Sequence, residues 1–283
     1  MRENNPSTSL QPELTVIRVG RHSLSFSIAN EQDEEHPLIF EPYPVKKGIS
    51  MAANLREAFK SDSPLLQSKQ RALVMTDAPT LMVPRDLYHQ EEAETLYFHA
   101  FTKQEGMAVL PNQINELNAV ALFMVNRDLC NVLSDHYSQL HYCSVMVPVW
   151  KYLYQRSFVG KRNKLYGYFH DGCLDVCSFK QNRFLFCNSF DITPSATGSA
   201  NAHDALFFLL SVWKQLALKV DYDELHLVGD IPERDWLINE LRQYLQRAYV
   251  INPASDFNRD PITRMEGLSF DLVTLWARNK RTN

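Results

Sequence analysis

The sequence predicts an α/β protein of two similar lobes, each a mixed sheet built in the order β-β-β-α-β-α-β. Three observations predict it. Strand-like runs come in threes, once from Leu14 and again from Lys164. Each triplet is followed by helical and strand-length segments in the same order. A chain of 283 residues with 45% apolar content is also too long for one ordinary core and can fill two. A doubled unit of this kind creates a cleft between its halves.

Residues 1–13 are polar, with two prolines, and read as a loose approach to the first strand. LTVIRVG and SLSFSIAN flank a turn at Gly20 to Ser23, and HPLIFEPYPV adds a proline-limited third strand. ISMAANLREAFKS places Met51, Leu55, Ala58 and Phe59 at helical spacing behind Ser50, a natural N-cap. RALVMTDAPTLMVPRDLY reads as a hairpin turning at Asp77 to Pro79, and HQEEAETLYFHAF as a helix with acids in its first turn. AVALFMV is of strand length, and Asn126 can cap the helix NRDLCNVLSDHY. HYCSVMV and PVWKYLYQRS repeat strand then helix.

The order restarts with KLYGYFHDG, CLDVCSFKQ and RFLFCNSF, separated by turns at Asp171-Gly172 and Gln181-Asn182-Arg183. NAHDALFFLLSVWKQLAL carries Ala205, Phe208, Leu209, Val212 and Leu216 on one helical face. DELHLVGD, IPERDWLINELRQYL, RAYVI and SFDLVTLWARN complete the second unit as strand, helix, strand, helix. The expected division is a first lobe over 1–157, with an inserted hairpin-and-helix module at about 70–112, and a second lobe over 158–283.

Twenty-nine basic and 33 acidic residues give a net charge of −4 with no long run of either sign, so nucleic acid is not an expected partner. No stretch approaches the ~20 apolar residues that cross a bilayer, and MRENNPSTSLQPEL lacks an apolar signal core, which places the protein in the cytoplasm without membrane insertion. Five cysteines, an odd number without a C-x-x-C pair, read as reduced thiols and not as zinc ligands. No G-x-S-x-G elbow is present, so a hydrolase triad is not expected. Trp150, Tyr152, Tyr154 and Phe158 read either as an interaction stripe or as core, and Lys161, Arg162 and Lys164 as a solvated linker.

The duplicated order resembles the actin-like ATPase superfamily, a duplicated ribonuclease H-like fold. The segment RALVMTDAPTLMVPRDLYHQEEAETLYFHAF resembles the actin-like assembly proteins of type IV pili and type II secretion. The chain as a whole resembles an uncharacterised bacterial family assigned the actin-like fold.

The resemblance implies two phosphate loops, each opened by an acidic residue that organises magnesium, and an adenosine segment ending in two glycines. In Ile17-Arg18-Val19-Gly20-Arg21-His22-Ser23, Arg18 holds the acidic place, and a guanidinium has no acceptor to offer a hard cation. Only Ser23 keeps the hydroxyl character, and Ser25 falls where pilus relatives carry lysine. Gly20, Arg21 and Ser23 can still cradle an anion through backbone donors, or simply form a hairpin.

In Gly167 to Asp175, Tyr168 falls on the acidic position, Leu174 on the threonine, and Asp175 on the closing acid. A shifted register instead puts Asp171 and Gly172 on the loop, but a plain Asp-Gly hairpin turn accounts for them better. Gly229 and Asp230 stand where the resemblance implies two glycines, and Asp230 also suits a helix N-cap before Pro232. Gly20, Ser23, Asp171, Gly172, Asp175, Gly229 and Asp230 are the residues expected near a nucleotide, with no catalytic or metal-ligating residue assigned.

The expected function is a non-catalytic actin-like scaffold, a pseudo-ATPase with no required cofactor. It binds a protein partner, which includes a second copy of itself. The alternative is a switch that closes on ATP and magnesium with little or no turnover.

Overall fold

The computed structural model describes residues 14–61, 63–66, 70–180, 183–193 and 201–279. The leader at 1–13 and the turn at Gln181-Asn182 lie outside them.

The first sheet contains β1 (Leu14–Val19), β2 (Leu24–Ala29), β3 (Leu38–Tyr43), β4 (Arg71–Thr76) and β8 (Gln139–Ser144), in the order β3-β2-β1-β4-β8. The second contains β9 (Lys164–His170), β10 (Cys173–Lys180), β11 (Arg183–Asp191), β12 (Glu224–Gly229) and β13 (Ala248–Val250), in the order β11-β10-β9-β12-β13. In each sheet the first three strands form an antiparallel meander and the last two add in parallel. The two halves repeat one topology, and the chain has the two-lobed actin-like architecture.

A third sheet, β5 (Thr80–Pro84), β6 (Met107–Ile114) and β7 (Ala119–Asn126), has the order β5-β7-β6 and carries α2 (Ala93–Ala100). This corrects the expected hairpin at Asp77 to Pro79. β4 pairs with β1 and β8, whereas β5 pairs with β7. The chain changes sheets at that turn, and the third sheet runs from Thr80 to Asn126. Strand β6 was hidden by Pro111, which an edge strand tolerates because its outward side donates no ladder bond. Asn112 staples the insertion to the main sheet: its side-chain amide donates to Tyr142 O (2.9 Å) and accepts from Ser144 N (2.9 Å), as a neighbouring strand's backbone would.

Helices α1 (Met51–Ala58) and α3 (Arg127–His136) are capped as their sequences predict. Ser50 Oγ accepts from Ala53 N at 3.1 Å, and Asn126 Oδ1 accepts from Leu129 N at 3.0 Å. In the second half, α5 (Asn201–Gln215) and α6 (Arg234–Tyr244) close one face of the sheet over Leu165, Leu174, Leu209, Leu225 and Leu237, all fully buried.

The main core lies between the two large sheets and is filled by α4 (Met146–Ser157) and α8 (Phe270–Asn279). Each helix reaches across to the other half. Trp150 of α4 meets Phe184 of β11 at 6.1 Å, and Trp276 of α8 donates from Nε1 to Ser27 Oγ of β2 at 3.1 Å. Trp150 and Tyr152 are buried, at ~2–3 kcal/mol per large side chain, so this stretch is core and not an exposed stripe; only Phe158 stands out in solvent. Lys164 likewise departs from the expected solvated linker. It is buried, and its ammonium donates to Val159 O (2.5 Å) just past the end of α4. Tyr152 and Arg156 both reach Asp256 of α7 (Pro253–Asp256).

Candidate functional site

The cleft is lined by the turns at the ends of β1 and β9 and by the first turn of α8. In the first turn, Gly20 N donates to Ser23 O at 2.8 Å. In the second, Asp171 and Gly172 have φ of 43° and 75°, the pair of positive values that a two-residue type I′ hairpin demands. The two turns face one another, because a Cβ added at Gly20 would lie 2.6 Å from Asp171 Oδ2.

Arg18 joins these parts. Its Nε donates to Asp271 Oδ1 (2.9 Å) and its Nη2 to Asp271 Oδ2 (2.8 Å), a fork-on-fork pair within α8's first turn. Its Nη1 donates to Ser23 Oγ (2.9 Å) and to Asp171 Oδ2 (2.7 Å), one group in each turn. Arg18 is 4% exposed and Asp271 fully buried. Burial alone would raise the Asp271 carboxyl, but Arg18 overrides it and holds the pKa below the usual range. Burial opposes the charge on Arg18 as well, and Asp271 more than restores it. Tyr168 completes the group by donating from its hydroxyl to Asp271 Oδ2 at 2.8 Å; burial and then Asp271 push its pKa well up, so the phenol stays protonated.

A second network lies beside the first. His170 is 3% exposed, with Nδ1 at 3.2 Å from Asp77 Oδ2 and Nε2 at 2.5 Å from Asp175 Oδ2. Both ring nitrogens face carboxylates, so the ring carries both protons. Burial would lower its pKa, but Asp175 and Asp77 raise it to about 10. Asp77 follows β4 in the first half, while His170 and Asp175 belong to the second, so this imidazolium bridges the halves. Arg21 stands 3.7 Å from Asp77 and 3.9 Å from Asp191. Ligand atoms of Asp77, His170 and Asp171 lie within 4.8 Å of one another, the spacing of a metal site, but His170 is shared between two carboxylates and Asp171 accepts from Arg18.

A family profile described as "Protein of unknown function (DUF3822)" matches residues 2–247. The chain belongs to the DUF3822 family. Among solved structures, this DUF3822 chain is similar to a Bacteroides thetaiotaomicron protein with actin-like ATPase fold and unknown function, at 27% identity and TM-score 0.75, over 89% of this chain and 96% of that one. It is similar in fold to a PilM–PilN type IV pilus biogenesis complex, at 13% identity and TM-score 0.53, over 95% and 98% of the two chains. The cytoplasmic domain of EpsL, an inner membrane component of the Vibrio cholerae type II secretion system, gives a TM-score of 0.46 at 11% identity, over 95% of each chain. No curated protein matches.

Of the residues expected near a nucleotide, this DUF3822 structure brings Gly20, Ser23 and Asp171 together around Arg18. Asp175 lies alongside, bound to His170. Gly172 backs onto Thr193, where an added Cβ would meet Oγ1 at 2.8 Å. Gly229 has φ 96°, and a Cβ there would stand 2.0 Å from Phe169 O. The close passage of β9 against β12 therefore requires glycine at 229 without any ligand.

Asp230 is not the cap that its position before Pro232 suggests. Helix α6 starts at Arg234 behind Glu233, with no side-chain cap bond, and Asp230 instead lines a cavity of about 440 Å³. Asp271 and Asp77 escaped the sequence reading, and the pairing of His170 with Asp175 is one that the alternation of side chains along strands and turns does not imply. Asp271 is 253 residues from Arg18, and an acid in a helix's first turn already has a local explanation in the helix dipole.

Proposed function

We propose that this protein is a non-catalytic actin-like scaffold whose cleft is closed by its own side chains in place of a nucleotide and its metal. The observation that carries this reading is Arg18, seated between the two turns and paired with Asp271. Magnesium needs oxygen ligands in near-octahedral array. At the two positions where the fold's acidic residues belong, Arg18 offers only donors, and Tyr168 turns its hydroxyl to Asp271. Arg18 saturates the nearest carboxylates, Asp171 and Asp271. A metal and polyphosphate do not fit this arrangement.

In this reading the lobes divide near residues 157 and 158, between α4 and β9, and the buried cross-cleft ion pairs fix them relative to one another. Such a body suits steady presentation of a surface to a protein partner. The pilus structure of the same fold is itself a complex of two proteins, which favours partner binding over chemistry. Five free thiols suit a reducing cytoplasm. An ATPase assay tests the reading: it predicts phosphate release with Mg-ATP at the buffer rate, unchanged in Asp175→Asn. Turnover above that rate and abolished by the substitution would overturn it.

One observation favours a second reading, an ATP-binding switch with little or no turnover. A cavity lies beside Gly229 and Asp230, bounded by the β12–α6 connection and α8, next to the segment that the resemblance implies for adenosine. For this switch, a nucleotide at 100 times its Kd would add about 2.7 kcal/mol of stability, which a thermal-shift titration reads.

A further inference from the structure

The end of the second half that is remote from the cleft carries an exposed aromatic and basic face. It forms where the α4–β9 connection, the α5–β12 connection and β13 meet, since Lys164 of β9 lies beside Glu224 of β12, and His226 of β12 beside Tyr249 of β13. Phe158, Val159, Val220, Tyr222 and Tyr249 stand there between 42% and 70% exposed. Contacts tie them into one surface. The Arg162 guanidinium lies 5.6 Å from the Tyr222 ring centroid and donates to Glu224 Oε1 (2.9 Å), and the His226 and Tyr249 rings are 5.4 Å apart. Gln246 N donates to Val220 O (3.1 Å), and Lys164 Nζ to Val159 O (2.5 Å). Clustered exposed apolar groups mark docking surfaces, and tyrosine with arginine is the composition that such surfaces favour.

Charge says what covers this face. Its exposed and half-buried cations, Lys161, Arg162, Lys219 and Arg247, outnumber Asp221 and Glu224, although the chain as a whole carries −4. The complementary sign stands on the first half. At the end of β2 remote from the Gly20 turn, the β2–β3 connection holds Glu31, Asp33, Glu34 and Glu35, none of them in an ion pair with Lys or Arg among the described residues. The loop has one shape: Asp33 Oδ1 accepts from Glu35 N (2.9 Å) and His36 N (3.1 Å), and Asn30 N donates to Pro37 O (2.8 Å). Ile39, 48% exposed, adds an apolar contact at its foot.

We propose that copies of this chain associate head to tail, with the acidic β2–β3 loop of one copy seated on the basic aromatic face of the next. One chain cannot bring the two surfaces together, because the cleft turns face one another and each surface lies at the opposite end of its own sheet. A contact between two different faces is heterologous and leaves one face free at each end, so the assembly grows beyond two copies. This rests on the scaffold reading and names the scaffold's partner.

Sedimentation velocity of the full chain tests it. The average mass is expected to rise with protein concentration past that of a dimer, and to fall back toward the monomer when salt is raised from about 0.05 M to about 0.5 M, because exposed charges are then screened. Two variants alter only exposed side chains: Arg162→Ala with Tyr222→Ala on the face, and Glu34→Lys with Glu35→Lys on the loop. Each alone should associate about tenfold more weakly or not at all. Mixed, they should form a one-to-one pair and stop there, since one variant keeps the loop and the other keeps the face. A natural chain that stays monomeric at every concentration would overturn the proposal. So would growth that stops at two copies, association untouched by either variant, or a mixture that fails to pair. All of these results leave the scaffold reading standing, which phosphate release alone decides.

Discussion

Arg18 and Asp271 are each costly to bury alone, and together they satisfy one another through three hydrogen bonds plus the hydroxyls of Tyr168 and Ser269. Removing one partner leaves an uncompensated buried charge. Arg18→Ala is expected to cost about 3–5 kcal/mol in urea unfolding, and adding Asp271→Asn should recover at least ~1 kcal/mol of it. His170 gives a pH signature. Its folded pKa of about 10 lies above the ordinary 6.5, so its stabilisation is complete below pH ~6.5 and is lost as pH rises through about 10. Asp77, held below its ordinary value, works in the other direction and loses its contribution only in acid. The stability gap between the natural chain and His170→Gln should therefore narrow between pH 6 and pH 10, by at most about 4 kcal/mol. A constant gap would show that the ring is neutral. At this scale the sequence revealed Arg18 and Tyr168, because a strand places its residues in fixed alternation beside a turn. The partners Asp271 and Asp77 were not legible, since pairing across the cleft is set by the tertiary fold.

Elements were the more legible level. Caps at Ser50 and Asn126, the Asp171-Gly172 turn and both meanders follow from local chemistry and survive in the structure. The miss was in which strands pair. A β4–β5 hairpin and a crossing between sheets look alike around Asp77-Ala78-Pro79, and Asn112's staple depends on β8 some 30 residues later. Asn112→Ala removes both bonds and is expected to cost about 1–3 kcal/mol, with faster amide exchange confined to β6 and the edge of β8. Gly229→Ala tests the strand crossing: with its Cβ 2.0 Å from a carbonyl oxygen, the variant should lose several kcal/mol whatever ligand is supplied. A mild effect there would return Gly229 to a ligand-binding role.

At the scale of the whole molecule, the two halves are joined by exchanged helices and by charge. Helices α4 and α8 each cross to the opposite sheet, and Arg18 and His170 place buried positive charge between the two halves. In the proposed scaffold these contacts do what a nucleotide and its metal would do in a hinged ATPase. A crystal structure grown with Mg-ATP tests that claim most directly. The account predicts Arg18 still forked onto Asp271 and no metal between the turn at Gly20 and the turn at Asp171. An ordered divalent ion there, with phosphates in place of the Arg18 guanidinium, would contradict it.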